Sequence, residues 1–314
     1  MMPSTPPVLL IGFNRPNETI KVFEKIKLAR PNKLYIACDG PRSAKSGEAE
    51  LVAQVRQLVS GVDWPCELKT RFLDENLGCG RAVSSAIEWF LNEVKEGIIL
   101  EDDCLPTPAF FRFCAVMLER YRNDNRVGLI SGTNMAPEVK FVGDYSFSRI
   151  ITCWGWATWQ RTWIDYRLIP DEIKSDEPWA SFFNGKSFNT LKDSFKKINE
   201  GDAHTWDYQL LVQMLRTHQL TVIPRRNLVL NIGFSGTGTH FSSSGRPWWV
   251  PSCAFDFKGD WLREIDVKAC HQFDLHYKAS SHGGGGKLLR VWIKFLRKTH
   301  HFFQCITSRP TLLE

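Results

Sequence analysis

An α/β fold built on a mostly parallel, twisted sheet flanked by helices is what this sequence predicts, and three observations predict it. Short apolar runs alternate with amphipathic segments through the first 135 residues. The residues just after each run are polar and rich in Asp, Asn, Arg and Gly. The chain has 314 residues, 43% of them hydrophobic, which suffices for one large core and excludes disorder and small disulfide scaffolds.

The elements are expected in this order. Val8 to Gly12 is a strand, followed by a helix from Asn17 to Ala29. Leu34 to Cys38 is a second strand, with a helix from Glu48 to Ser60. Glu67 to Leu73 and Gly97 to Leu100 are the third and fourth strands, separated by a helix from Arg81 to Val94. Pro108 to Arg120 is a helix with Thr107 as N-cap and Pro at its first position, and Val127 to Ser131 is a fifth strand. Five strands joined by four crossovers make a doubly wound sheet.

Ligands of such sheets bind beyond the carboxyl ends of the strands, so the residues just after each run matter most. They are Phe13-Asn14-Arg15-Pro16, Asp39-Gly40-Pro41-Arg42, the stretch Asp74 to Arg81, Glu101-Asp102-Asp103, and Gly132-Thr133-Asn134. Loops are polar anyway, but five such ends converging on one edge favour a nucleotide-binding crevice. No G-x-G-x-x-G follows the first strand, and no G-x-x-x-x-G-K-[ST] occurs, which argues against a dinucleotide dehydrogenase or a P-loop NTPase.

Three adjacent carboxylates at a strand end repel one another and need a compensating positive charge. Hard carboxylate oxygens select Mg²⁺ or Mn²⁺, ions that commonly share their coordination with substrate phosphates. A solvated acidic turn ahead of the Thr107 helix is the plain alternative.

The order FNRP, CDGPR, NLGCGRA and IILEDDCLPTPAFF resembles the GT-A nucleotide-sugar glycosyltransferases, and especially the branch around N-acetylglucosaminyltransferase I, whose members carry EDD in place of D-x-D. The resemblance covers residues 8 to 240. It implies a GT-A fold and roles for matching positions. Asp103 would bind the metal bridging the donor diphosphate. Glu101 and Asp102 would face the donor sugar and ribose, and Arg15 and Asp39 would line the nucleoside pocket. Asn76, Gly78 and Arg81 would lie where the family's third loop passes the nucleotide, although an exposed helix-cap residue is an equal reading of Arg81.

Of the 12 tryptophans, Trp154, Trp156, Trp159 and Trp163 fall within ten residues. At helical spacing 156, 159 and 163 share a face, which reads as a helix packing an aromatic stripe into the core. The Trp154-Gly155-Trp156 portion differs, because Gly lets the backbone approach a ligand and flat indoles stack on sugar rings. The resembling enzymes border the donor sugar with a Gly-Trp segment here, making Gly155 and Trp156 candidates for sugar contact.

Asp207 stands at or near the head of a helical run reaching Leu215. A structural N-cap is one reading. The resemblance implies the other, a catalytic carboxylate that deprotonates the acceptor hydroxyl in an inverting transfer. Asn231 to His240 is rich in Gly and hydroxyls and suits a loop that orders over a diphosphate, with His240 either completing the metal shell or lying on the surface. Trp248 and Trp249 form either an acceptor platform or core.

The chain is expected to divide into a catalytic domain over 1 to 282, with a nucleotide-sugar half (8 to 135) and an acceptor half (136 to 282), and a tail over 283 to 314. The tail begins with the linker Gly283 to Gly286. From Lys287 to His301 it reads as an amphipathic helix, with Lys287, Arg290, Lys294, Arg297, Lys298 and His301 on one face and Leu288, Leu289, Trp292, Phe295, Leu296 and Phe303 on the other. Such a segment lies on an anionic membrane, docks on the catalytic domain, or is disordered. The net charge of +6 resides mostly here: after the linker, six Lys and Arg stand against one Glu. The rest of the chain is nearly neutral, so a nucleic-acid partner is not expected.

Nine cysteines, odd in number and without a C-x-x-C pair, exclude a zinc ribbon or redox motif and fit a reducing compartment. No apolar run reaches about 18 residues and Met1 to Pro7 lacks the features of a signal peptide. A cytoplasmic enzyme is therefore expected, with peripheral contact to the inner membrane face through the tail. The expected activity is metal-dependent transfer from a UDP-sugar, UDP-GlcNAc among the candidates, to a saccharide or lipid-linked glycan in polysaccharide biosynthesis. The rival readings are a non-catalytic nucleotide- or glycan-binding protein and a membrane-active protein acting through its tail.

Overall fold

The structure is a computed structural model that describes residues 4–183, 185–234, 246–259, 261–281 and 289–297. Its strands, in chain order, are β1 (Val8–Gly12), β2 (Lys33–Cys38), β3 (Glu67–Phe72), β4 (Glu96–Glu101), β5 (Cys104–Pro106), β6 (Val127–Ser131), β7 (Tyr145–Ser148), β8 (Trp156–Trp159), β9 (Leu220–Pro224) and β10 (Val229–Asn231). The helices are α1 (Pro16–Ala29), α2 (Glu48–Val59), α3 (Cys79–Glu93), α4 (Pro108–Arg120), α5 (Gln160–Trp163), α6 (Gly185–Asn199), α7 (Asp207–Arg216) and α8 (His271–Ser281).

Eight strands form one sheet in the order β3-β2-β1-β4-β8-β6-β9-β7. β8 runs antiparallel to β4 and β6, and β7 antiparallel to β9; the remaining neighbours are parallel. The fold is α/β with a mostly parallel, helix-flanked sheet, as expected.

The alternation of side chains along β1, β2 and β4 builds two cores, one on each face. Leu9, Ile11, Tyr35 and Ile99 meet Val83, Ala86, Ile87 and Phe90 of α3 on one face. Val8, Leu10, Leu34, Ile36, Ile98 and Leu100 meet Val22, Phe23 and Ile26 of α1 and Phe110, Phe113 and Met117 of α4 on the other. Burial on both faces explains why these strands read as unbroken apolar runs. Each fully buried Leu, Ile or Phe stabilises the fold by about 1.5–3 kcal/mol.

Two expectations are corrected. Trp156 and Trp159 belong to a strand, β8, not to a helix with an aromatic stripe. Being three apart in a strand, they point to opposite faces and enter different cores, Trp156 with Leu9 and Ile99, Trp159 with Val8 and Ile98. β8 also separates β4 from β6, which the five-strand reading had no means to anticipate. Thr107 stands at the N-cap of α4 with Pro108 at the helix start, as expected, but its side chain makes no capping bond; its hydroxyl donates to Leu228 O at 3.0 Å.

The basic face assigned to the tail is also corrected. Residues 289–297 are helical and pack on the body, but Arg297 is buried. Its Nε donates to Glu138 Oε2 at 2.8 Å and its Nη1 to Trp249 O at 2.8 Å. Glu138 also pairs with His276 of α8 at 3.0 Å. Ile293 lies under the same helix, while Val291, Trp292 and Phe295 are exposed. The linker Gly283 to Gly286 lies outside the described residues. The eight described cysteines form no disulfide, and no helix among the described residues is long and apolar enough to cross a membrane.

Candidate active site at the strand ends

From β1 the chain proceeds outward to β2 and β3 and then returns to place β4 on the other side of β1. The carboxyl ends of β1 and β4 therefore flank a topological switch point, the place where open α/β sheets bind ligands. Arg15, just after β1, reaches across this gap. Its Nη1 donates to Asp103 Oδ2 at 2.8 Å and its Nη2 to Asp102 Oδ1. Burial opposes the Arg15 charge, but Asp102 and Asp103 outweigh it and push its pKa up.

The positive charge demanded by the acidic triplet is thus partly supplied by Arg15. One guanidinium does not balance three carboxylates. Burial, then repulsion from Asp103 and Asp102, pushes the Glu101 pKa up, and burial pushes that of Asp102 up despite its pairing with Arg15. Asp207 adds a further repulsion felt by Glu101.

Asp207 reaches this cluster through aromatic packing. Trp156 pairs in register with Ile99 near the end of β4. Trp206 stacks on Trp156 with centroids 5.6 Å apart and planes at 20°, and Tyr166 holds Trp206 by donating to its carbonyl at 3.0 Å. Asp207 is the next residue and opens α7, its Oδ1 accepting from Thr205 Oγ1 and, at 3.0 Å, from Tyr208 N. It is half-buried.

On the β2 side of the switch point lies a cavity of about 120 Å³ lined by Phe13, Arg15, Asp39, Asn76, Gly78 and Asp102 among others. Asp39 is nearly buried and acts as a staple. Its carboxylate accepts from Gly40 N at 2.9 Å, Leu77 N at 2.9 Å, Gly78 N at 3.2 Å and Asn76 Nδ2 at 2.9 Å. Burial nevertheless pushes its pKa up, outweighing those donors. Gly78 precedes α3 at φ +77°, a left-handed conformation natural to glycine. Arg81 is exposed and lines a different cavity, with Ser85, Glu88 and Trp163, so it does not face the crevice.

Gly155 and Trp156 are the clearest departures from expectation. Trp156 is fully buried, so no sugar reaches it; it supports Trp206 instead. Gly155 has φ +68° and a Cβ there would lie 2.7 Å from Val229 Cγ2, so the glycine is required by packing. The half-buried ring of that tripeptide is Trp154, which stacks on Trp249 at 6.3 Å and 19°. His240 lies outside the described residues.

Three cavity residues had been given no role of their own. Phe13 and Arg42, the latter 5.3 Å over the Phe13 ring, form a stacking edge, and Arg71 lines the far wall. Arg42 is held by Glu48, which Asn14 also contacts at 2.9 Å. Phe13 and Arg42 stood in the strand-end motifs; the signal for Arg71 is a charge at the end of β3.

Among the described residues no group of three His, Cys, Asp or Glu side chains is arranged to hold a metal alone. A divalent ion completed by diphosphate oxygens needs only one or two protein carboxylates. The donor set fits that case, because Asp102 Oδ2 is buried without a hydrogen-bond partner and hard carboxylate oxygens suit Mg²⁺ or Mn²⁺.

No protein-family model matches the chain, and no curated protein matches it. Among solved structures, a mannosyltransferase from Pyrobaculum calidifontis in complex with GDP-Man and Mn²⁺ superimposes with TM-score 0.31 at 15% identity, over 50% of this chain and 45% of that one. The chain thus spans less than half of that enzyme's length. An apo UDP-glucose pyrophosphorylase superimposes with TM-score 0.32 at 8% identity, over 69% of this chain and 90% of that one. Overlaps this loose assign no function, and the site's own geometry has to carry one.

Proposed function

We propose that the protein is a glycosyltransferase that moves a sugar from a nucleoside diphosphate donor to a hydroxyl of a saccharide or lipid-linked acceptor. The observation that carries this reading is the pairing of Arg15 with Asp102 and Asp103 at the β1/β4 switch point, beside a cavity with a stacking edge, with Asp207 near enough for its charge to act on Glu101. The base of the donor would enter that cavity against Phe13 and Arg42, which fits a small pyrimidine such as uracil.

Asp207 takes the proton of the acceptor hydroxyl while its oxygen attacks the anomeric carbon. The bond from that carbon to the phosphate oxygen breaks, and the nucleoside diphosphate leaves with the electron pair. A single in-line displacement of this kind inverts the anomeric centre. Arg15, held across the switch point, presents fixed positive charge where negative charge develops on the leaving group. Asp103 with Asp102 would hold Mn²⁺ or Mg²⁺, which when bound supplies further neutralisation of the diphosphate.

The exposed Val291, Trp292 and Phe295, beside Arg290 and Lys294, support a second part of the reading, peripheral attachment to an anionic membrane. A lipid-linked acceptor would be encountered there.

The test is a panel of nucleotide sugars assayed for Mn²⁺-dependent hydrolysis and transfer, with calorimetry of nucleoside diphosphate binding. The expected result is turnover of one donor, and loss of the Mn²⁺-dependent part of binding in Asp103→Ala. Binding without turnover of any donor would leave a nucleotide-binding protein. Identical affinities with and without Mn²⁺ would overturn the metal assignment.

A further inference from the structure

A second cavity, of about 300 Å³, lies between the body and the C-terminal helix. Its walls are Trp248, Trp249, Val250 and Phe255, with Arg246, Lys294 and Arg297 among them, and no carboxylate lines it among the described residues. The three cations differ in how they are balanced. Arg297 is neutralised by Glu138. Arg246 donates to Pro251 O at 2.6 Å and Asn231 O at 2.9 Å, and its guanidinium lies 5.2 Å from the Phe234 ring centroid. Among the described residues no acidic group pairs with it. Lys294 is exposed, with Nζ 6.0 Å from the Trp248 ring centroid, and Arg297 lies 5.5 Å from the same ring.

This cavity adjoins the carboxylate cluster. Asn231, whose carbonyl anchors Arg246, pairs with Cys104 in the β5/β10 ribbon, and Ile232 N donates to Asp103 O at 2.8 Å. On its other side Trp249 stacks on Trp154, which in turn meets Phe234 edge to face at 5.8 Å. A chain of contacts through Ile232, Asn231 and Arg246 thus links Asp103 to the cavity that Lys294 lines.

From this geometry we infer that the cavity is an acceptor subsite for a saccharide carrying an anionic group, a phosphate or a carboxylate, with Arg246 and Lys294 meeting the charge and Trp248 the sugar face. The inference rests on the transferase reading and adds the acceptor's chemical class to it. Two cations without acidic partners among the described residues favour an anion, because a half-buried guanidinium held only by neutral carbonyls keeps its charge uncompensated until one arrives. Burial indeed pushes the Arg246 pKa down. The flat indole and the prolines that also line the cavity fit an aliphatic ring with polar edges better than a bare inorganic ion. The negative charge of the carboxylate cluster also disfavours an anionic acceptor group there and leaves the cationic cavity as its place.

The experiment is calorimetric or saturation-transfer NMR binding of glucose 6-phosphate, glucuronic acid and glucose to the full chain, with the donor crevice first saturated by UDP and Mn²⁺. At least one anionic sugar should bind tenfold or more tightly than glucose, and the tighter of the two identifies phosphate or carboxylate as the natural group. Lys294→Gln, an exposed change that leaves folding untouched, and Arg246→Gln should each weaken that binding at least fivefold. Equal binding of glucose, no binding of any probe, or indifference to both substitutions overturns the proposal. If UDP fails to bind while the anionic sugar behaves as expected, the transferase reading fails and the subsite stands.

Discussion

At Asp207 the same carboxylate serves two masters, since it accepts from Tyr208 N at the head of α7 and faces the cluster at the end of β4. Asp207→Asn keeps the size and the helix-terminal bond but cannot take a proton. Nucleoside diphosphate affinity is expected to persist while kcat falls by about 10²–10⁴, read by transfer assay; near-normal turnover removes Asp207 as the base. Glu48 shows a different use of charge. Hydrogen bonds and attraction from Arg42 hold it down to about 2 from its ordinary 4.5. A depressed acid stabilises the fold above its unfolded value and loses that contribution as pH falls towards the folded one. Denaturant midpoints are therefore expected to drop between pH 4.5 and about 2, and Arg42→Ala should flatten that part of the profile; an unchanged slope would show that the pair contributes nothing. Residue identities at the crevice were legible because the polar residues there sit directly beyond the apolar strands that present them. Arg15, Asp39, Asn76 and the acidic triplet all lie at such ends, whereas Arg81, one helical turn further on, is turned away.

β8 shows what a single element decides. Four residues, Trp156–Trp159, are too short for either period to be recognised, and the i, i+3 spacing of two tryptophans mimics a helix. In the strand the same spacing sends one ring to each core. The stack of Trp156 on Trp206 then couples the sheet to the segment bearing Asp207. Trp156→Ala is accordingly expected to destabilise the fold by about 3–5 kcal/mol, measured by denaturant unfolding, because it opens a cavity in a packed core. A direct sugar contact would instead raise the acceptor or donor KM at unchanged stability. The first four strands and their helices were legible to within a few residues because each is long enough to show its period and is bounded by turn residues. β5, β7, β9 and β10 were not, being short and paired with partners distant in sequence.

Across the whole molecule the charge is divided between a nearly balanced body and a basic C-terminal segment, and the fold brings part of that segment back against the body through the Arg297–Glu138–His276 contacts. Docking inverts the simple amphipathic picture: the helix buries Ile293 and Arg297 and exposes Val291, Trp292 and Phe295. The protein is expected to co-sediment with phosphatidylserine vesicles and release in high salt, with Trp292→Ala reducing the bound fraction. Equal binding to neutral vesicles would reject an electrostatic attachment. The sequence by itself determined the α/β class, the position of the crevice and the chemical character of its edge, because hydrophobic period and strand-end polarity are local properties of the chain. Only the tertiary structure decided that Arg15 spans the switch point, that Trp156 is a buried support and Trp154 the partly open ring, and that Arg246 and Lys294 face one cavity. Those depend on pairings between residues far apart in sequence, whose contact energies are realised only once the sheet is assembled.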